Sequence, residues 1–196
     1  MRFGIALPLL CLALAACGSP EPTVIENEAD RAAAVADLKG WDRLFGVPEE
    51  AVGHANQFGF RAGDYAQDGS SWLTTGSPVT VSQSDATMPN TATFEGAGIS
   101  ANALDRIVFT LAITDPANAD TAKTRFADIV RQFLSQYAIK DGGALDAIAA
   151  EESADGVIDA VPVSIAVAPG DGENRTITVT FTRPAASTPG NPQAQG

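Results

Sequence analysis

The sequence predicts an α+β fold in which a mostly antiparallel sheet carries helices on one face. Three stretches support this prediction. Residues 105–113 alternate strongly apolar with semi-apolar side chains, as a central strand does. Residues 117–138 place their apolar side chains at helical spacing. Residues 161–182 form two alternating strands around a Pro-Gly-Asp-Gly turn, as a hairpin does.

The chain begins with a stretch typical of an export signal. Arg2 supplies a positive charge, and the apolar run Phe3–Leu14 is too short to span a membrane as a permanent helix. The run ends in Leu14-Ala15-Ala16-Cys17, which resembles the lipobox of bacterial lipoproteins. The resemblance implies that residues 1–16 are a signal peptide, and that Cys17 receives a diacylglyceryl group and a fatty acid such as palmitate. Two or three acyl chains, at about 0.8 kcal/mol per buried methylene, form an effectively irreversible anchor.

The residue after the cysteine bears on location. Gly18 stands where many Gram-negative lipoproteins that stay in the inner membrane carry Asp. We therefore expect the outer membrane, with the domain facing the periplasm, if the host has two membranes. The alternative interpretation of the leader is conventional cleavage after Ala16, which leaves Cys17 as an ordinary residue.

Composition excludes several classes of function. The 24 acidic and 12 basic residues give a net charge of -12, which disfavours nucleic acid and anionic headgroups as partners. Cys11 leaves with the leader and Cys17 is consumed by lipid, so the mature chain is expected to lack a disulfide, a thiolate nucleophile and a zinc–cysteine site. With 45% hydrophobic residues, a core-stabilised single domain over residues 26–183 is feasible.

Two helices are expected before the sheet. After a flexible tether at residues 17–25, Glu26–Lys39 has helix-forming composition, and Gly40 is a candidate C-terminal stop. A second, short helix is expected over Pro48–Asn56, because Pro is tolerated in a first turn and glutamates follow it. An apolar stripe runs along the first helix and loosely beyond it: Ala32, Val35, Leu38, Trp41 and Phe45.

Short runs punctuated by turn residues predict a meander of antiparallel strands. The runs are Phe58 with Phe60, Asp64–Leu73, Val79 with Val81, and Thr91–Phe94, and Ser82–Asn90 is a turn-rich loop. The central strand ends at Asp115-Pro116, and the long helix begins at Pro116 or Asn118 and should cover the sheet.

The last part of the chain is predicted to contain one short helix, a hairpin and a tail. The helix spans Ala144–Glu151, and Pro162 places the first hairpin strand at a sheet edge or marks its beginning. Residues 184–196 contain no large apolar side chain and are predicted to be disordered.

Candidate catalytic and metal-binding residues are few. His54 is the only histidine, and no Gly-x-Ser-x-Gly motif supplies a nucleophile for it, so a structural role is favoured. The adjacent pair Glu151-Glu152 diverges on a helix, which favours a solvated face over an acid–base pair. Three groups could hold a cation such as calcium but offer few oxygens and lack the calcium-loop spacing: Asp64 with Asp68, Asp115 with Asp120, and Asp171 with Glu173 and Asn174.

Three further patterns could form binding surfaces. A threonine ladder, Thr176, Thr178, Thr180 and Thr182, resembles one row of an ice-binding face, but one strand is not an array and Thr is a good strand residue. Five aromatic residues could line a groove for sugar or peptide, although core positions are favoured: Trp41, Trp72, Phe58, Phe60 and Tyr65. Six arginines could bind an anion if two or three converged: Arg61, Arg106, Arg125, Arg131, Arg175 and Arg183.

These observations favour a non-enzymatic, lipid-anchored module that binds an envelope protein or glycan through its sheet or its long helix. Cys17 is the one assigned site, and no catalytic residue, cofactor or metal ligand is assigned. One alternative is a small-molecule or lipid carrier with an apolar cavity between Phe109 and the helix residues Phe126 and Phe133. The other is a hydrolase in which carboxylates or His54 converge in one cleft.

Overall fold

The computed structural model describes residues 32–82 and 85–185. The predicted signal peptide, Cys17, the tether and most of the predicted tail lie outside these residues, as do the first six residues, 26–31, of the predicted helix Glu26–Lys39. The chain divides into two units between Ala34 and Val35, and the sheet and its helices belong to the second unit. Within the described ranges, no helix combines the length and the apolar character needed to cross a membrane.

After the helical residues 32–36 come two short helices, α1 over Gly40–Gly46 and α2 over Pro48–Gln57, and then the sheet. The expectation that Gly40 ends a helix was wrong, because Gly40 is the first residue of α1. Gly40 has a φ of +54°, a backbone conformation that glycine adopts without a steric penalty. The helical residues 32–36 end before it. Trp41 and Phe45 are buried as part of this separate helix. The prediction for α2 is confirmed to within one residue.

Eight strands form one antiparallel sheet in the order β1-β2-β4-β5-β8-β7-β6, and β3 pairs with β4 outside this path. The central position predicted for residues 105–113 is confirmed, because β5 pairs with β4 on one side and β8 on the other. The strands are β1 Ala66–Asp68, β2 Ser71–Thr75, β3 Val79–Thr80, β4 Thr91–Gly98, β5 Arg106–Ile113, β6 Ala154–Ile158, β7 Val161–Pro169 and β8 Arg175–Thr182.

Two strand predictions were wrong. Phe58 and Phe60 lie in a turn and a loop, where Phe60 is buried against the rings of other elements. Strand β6 was not predicted at all, and it covers one side of β7. Pro162 is therefore not on an edge strand; it is the second residue of β7, which agrees with the other expectation that a strand begins there.

The long helix α3 spans Ala119–Ser135 after a 3-10 turn at Pro116–Asn118 and packs on the sheet, as predicted. It ends three residues earlier than expected, because Ala138 has a φ of +57°, outside the helical region. A one-turn helix, α4 over Ala147–Ala150, packs beside it.

Aromatic rings join the sheet to α3. The ring centroids of Phe94 and Phe109 are 5.3 Å apart, and that of Phe133 lies 5.1 Å from that of Phe109. All three side chains are almost fully buried. A separate close contact lies at Gly98 of β4. A Cβ atom at this position would approach the hydroxyl oxygen of Tyr65 to 2.4 Å, so no residue larger than glycine fits.

The ring packing predicts a large cost for removing Phe133. We expect Phe133→Ala to lower the free energy of unfolding by about 3 to 5 kcal/mol, because it leaves a cavity in the core. Urea denaturation measures the change. Gln132→Ala is the matched control, since Gln132 is exposed on the same helix, and we expect it to change stability by less than about 0.5 kcal/mol. A similar small change for both variants would contradict the core role of Phe133.

Candidate functional site

The helices pack on one face of the sheet, and the opposite face is not covered by the described residues. Burial alternates along β4 and β5, with buried residues toward the helices and partly exposed residues away from them. The uncovered surface, which we call the threonine face, consists of threonines with small neighbours. Its threonines are Thr91, Thr93, Thr110, Thr176, Thr178, Thr180 and Thr182.

Strand register aligns the side chains of the threonine face in rows across the sheet. Thr93 lies opposite Thr110, and Thr110 lies opposite Thr178. Between them stand other uncharged side chains: Ala97, Val108, Ala112, Ser164, Ala166 and Ala168. The sequence interpretation treated the ladder as a single strand, whereas the sheet extends it sideways onto β4 and β5.

Two properties of the threonine face bear on binding. The side-chain hydroxyls of its threonines make no hydrogen bond within the described part of the chain, so both their donor and their acceptor capacity are available. On its four central strands the charged side chains are Glu95 and Arg106, which neutralise each other through a 3.0 Å ion pair. The surface of these four strands is therefore polar and without net charge, whereas the edge strands add Asp68 and Asp155 to the same face.

His54 does not have the surroundings of a catalytic base. It is half-buried on α2, and its ring stacks on Tyr137 with centroids 5.1 Å apart. The imidazole Nε2 is 3.9 Å from Glu50, whose carboxylate is already bound by Arg43 at 2.7 Å. No serine or threonine hydroxyl in the described ranges hydrogen-bonds His54. Burial, and secondarily the charge of Glu50, raises the pKa of Tyr137.

The arginines named from the sequence do not converge. Arg106 pairs with Glu95 on the threonine face, whereas Arg131 pairs with Asp141 and Asp146 beside α3. A further arginine that the sequence did not single out, Arg43, joins α1 to α2 through its bidentate contact with Glu50. Its partner is seven residues away and on another helix, so no helical spacing rule could identify it. Arg61 and Arg125 make no ion pair within the described residues.

A cluster of charged residues joins α3, the residue after α4, and β8. Arg175 binds the carboxylate of Glu151 through Nε and through Nη2, the latter at 2.7 Å. The Nζ of Lys123, a largely buried residue, lies 2.8 Å from Glu151 and 2.9 Å from Asp120. The hydrogen bonds from Arg175 lower the pKa of Glu151 to about 2, against its partial burial and with further help from Lys123. Each partner is satisfied, so the cluster holds three elements together.

The carboxylates that the sequence offered as calcium ligands do not form a cation site among the described residues. Asp115 accepts a 2.6 Å hydrogen bond from Asn118, and its backbone oxygen accepts one from the buried Asn90. Asp171 belongs to the turn between β7 and β8, where its backbone oxygen accepts from Asn174. Among the described residues, no group of three or more His, Cys, Asp or Glu side chains is arranged to hold a metal ion.

The five aromatic residues divide among separate contacts and do not form one groove. Phe60 packs in the core against Phe94 and Phe109. Tyr65 packs on Trp72, and the ring of Trp41 lies between those of Phe45 and Phe181. Phe58 is half-buried and packs at the margin of the core. Trp41 also lines a cleft at one end of the sheet, together with Arg183.

The cavity that a carrier would need is not present between the helix and the sheet. Phe109, Phe126 and Phe133 each have 0% of their surface exposed, and the rings of Phe109 and Phe133 are in edge-to-face contact. No ligand can occupy the space between these two rings.

Comparison with protein-family models, with curated proteins and with solved structures finds no match to this chain. The interpretation of its surfaces therefore depends on the chemistry of its own residues.

The lowered pKa of Glu151 predicts a specific dependence of stability on pH. Because the pKa is about 2 in the folded state and near 4.5 otherwise, the stabilisation is complete above about pH 4.5 and is lost as the pH falls toward 2. We expect Glu151→Gln to remove about 2 kcal/mol at pH 7, allowing for solvent screening, and less at pH 3. Urea denaturation at both pH values tests this. Glu152→Gln is the neighbouring control, and an equal loss at both pH values would contradict the prediction.

Proposed function

We propose that this chain is a lipid-anchored, non-enzymatic binding module of the bacterial cell envelope. Its anchor is the acylated Cys17, and its domain faces the periplasm from the outer membrane where the host has two membranes. We further propose that the threonine face binds an uncharged glycan of the envelope. The observation that carries the proposal is the row of threonine hydroxyls, unpaired among the described residues, on the four central strands of the uncovered face, where the two charges neutralise each other.

The lipobox supports the anchoring part of the proposal. Leu14-Ala15-Ala16-Cys17 follows an apolar run of the length expected for a signal peptide. An anchor confines the domain to a layer at the membrane surface and so raises its effective concentration toward other components of that layer. At this raised effective concentration, a surface whose individual contacts are weak is sufficient for binding.

The chemistry of the threonine face favours a glycan over a charged partner. Each threonine offers one donor, two acceptor lone pairs and a methyl group, which match the hydroxyls and the C–H surfaces of a sugar ring. A nucleic acid or a polycation would need a charged surface, whereas the charges at the centre of this face are paired with each other. Protein partners usually anchor on large aromatic side chains, and the described residues of the four central strands present none on this face.

The anchoring proposal predicts the behaviour of Cys17→Ala. We expect the variant to fold normally but to lose the lipid, so that a labelled fatty acid is not incorporated and the leader is not removed at residue 17. Membrane fractionation with metabolic labelling, followed by mass analysis, provides the measurement. A variant that still carries labelled lipid would contradict the proposal.

The glycan proposal predicts the effect of placing a charge on the threonine face. Thr178 lies in the central row, so Thr178→Lys puts an ammonium group where the ligand would have to desolvate it. We expect at least about tenfold weaker cosedimentation of the full chain, purified in detergent, with chitin, an uncharged polymer of N-acetylglucosamine that serves as the probe, equivalent to about 1.4 kcal/mol.

Thr121→Lys is the matched control, because Thr121 is exposed on α3 and the substitution adds the same charge. We expect this control to bind chitin as the unmodified chain does. Equal binding by both variants would contradict the threonine face as the site. If Thr178→Lys still binds chitin but no longer crosslinks to an envelope protein, the partner of the threonine face is a protein and not a glycan.

A further inference from the structure

A cleft of about 860 Å³ opens at one end of the sheet, apart from the rows of threonines. It is lined by the start of α1, by the residues that follow β8 and by the turn between β6 and β7. We call it the Trp41 cleft. Its volume is in the range of known small-molecule sites, whose walls are mainly apolar with a few well-placed polar groups.

The floor of the Trp41 cleft is aromatic and apolar. Trp41 is 8% exposed and Phe45 2% exposed, and Ile139 and Val161 are also buried. The indole Nε1 of Trp41 is buried and has no hydrogen-bond acceptor within the described residues. The Trp41 ring packs on Phe45 and Phe181, so the cleft is floored by aromatic surface and not by the indole N–H.

The rim of the Trp41 cleft carries charges of both signs that the fold does not use. Lys39 and Arg183 are the cations, and Asp42 and Asp159 are anions. The side chains of these four residues form no ion pair or hydrogen bond within the described ranges. All four side chains are exposed and no two opposite charges among them come within 4 Å of each other, so each charge is available to a charged group on a ligand.

A fifth charged residue lies in the same cleft with a different role. Asp105 accepts a 3.0 Å hydrogen bond from the backbone of Ile99, and its own backbone oxygen accepts from the N–H of Arg183 at 2.8 Å. This second contact fixes the chain position of Arg183 at the rim. The backbone of Arg183 is therefore fixed beside the aromatic floor, and its side chain is exposed.

We infer that the Trp41 cleft binds a short zwitterionic peptide with an apolar side chain. The peptide carboxylate pairs with Arg183 and Lys39, because a guanidinium group can hold a carboxylate through two parallel hydrogen bonds. The peptide ammonium group pairs with Asp42 and Asp159, and the apolar side chain rests on Trp41. This inference is independent of the threonine face and of the anchor.

Isothermal titration calorimetry tests the inference with the full chain in detergent and the tripeptide alanyl-leucyl-alanine as the probe. We expect saturable binding, with at least about tenfold loss of affinity when the peptide carboxylate is amidated or its amino group is acetylated. Arg183→Gln should weaken binding of the free tripeptide by about tenfold and leave the already weak binding of the amidated peptide unchanged.

Arg125→Gln is the matched control, because Arg125 is unpaired in the described part of the chain but lies on α3, outside the cleft. It should bind both peptides as the unmodified chain does. Lys39→Gln provides a second variant if Arg183→Gln is not folded by circular dichroism. Absence of saturable binding below about 10 mM would overturn the inference. Discrimination against the amidated peptide that survives both Arg183→Gln and Lys39→Gln would also overturn it.

Discussion

The structure depends on the one-sided packing of aromatic rings between the sheet and its helices. Phe94 and Phe109 come from neighbouring strands, and Phe133 comes from α3 to meet both. Ring pairs of this geometry add to the free energy already gained by burying their area. The strands therefore present their large side chains to one side, which accounts for the strict alternation of burial along β4 and β5.

This one-sided packing also determines the character of the opposite face. A strand residue without a covering layer must favour extended backbone and remain compatible with water, and threonine meets both conditions. Charged side chains would meet the second condition too, but in a chain with twice as many acidic as basic residues they would add repulsion across neighbouring strands. A face whose central strands carry mainly threonine, serine and alanine limits that repulsion, and it leaves hydroxyls in register across the sheet.

Sequence patterns predicted the elements whose burial is periodic and missed those whose burial is not. The alternation of β5 and the helical stripe of α3 come directly from one-sided packing. Strand β6 has a single buried residue, Ile158, and so has no period to detect. Phe60 appeared to belong to a strand because it alternates with Phe58, but tertiary contacts bury it in a loop. The sequence alone shows the threonine ladder Thr176–Thr182. It does not show that threonines of β4 and β5 lie beside this ladder, because that depends on the register of the strands.

Some basic residues of the chain form ion pairs that join elements of the fold, whereas others form none among the described residues. In an acidic chain each cation is attracted to several carboxylates, and the fold uses this attraction at its junctions. Arg43 joins α1 to α2, Arg131 holds the segment after α3, and Arg175 and Lys123 share Glu151. Lys39 and Arg183 of the Trp41 cleft form no ion pair among the described residues, as is also true of Arg61 and Arg125. What distinguishes the cleft is that two unpaired cations and the unpaired carboxylates of Asp42 and Asp159 line the same opening, which is the arrangement that a ligand carrying both signs requires.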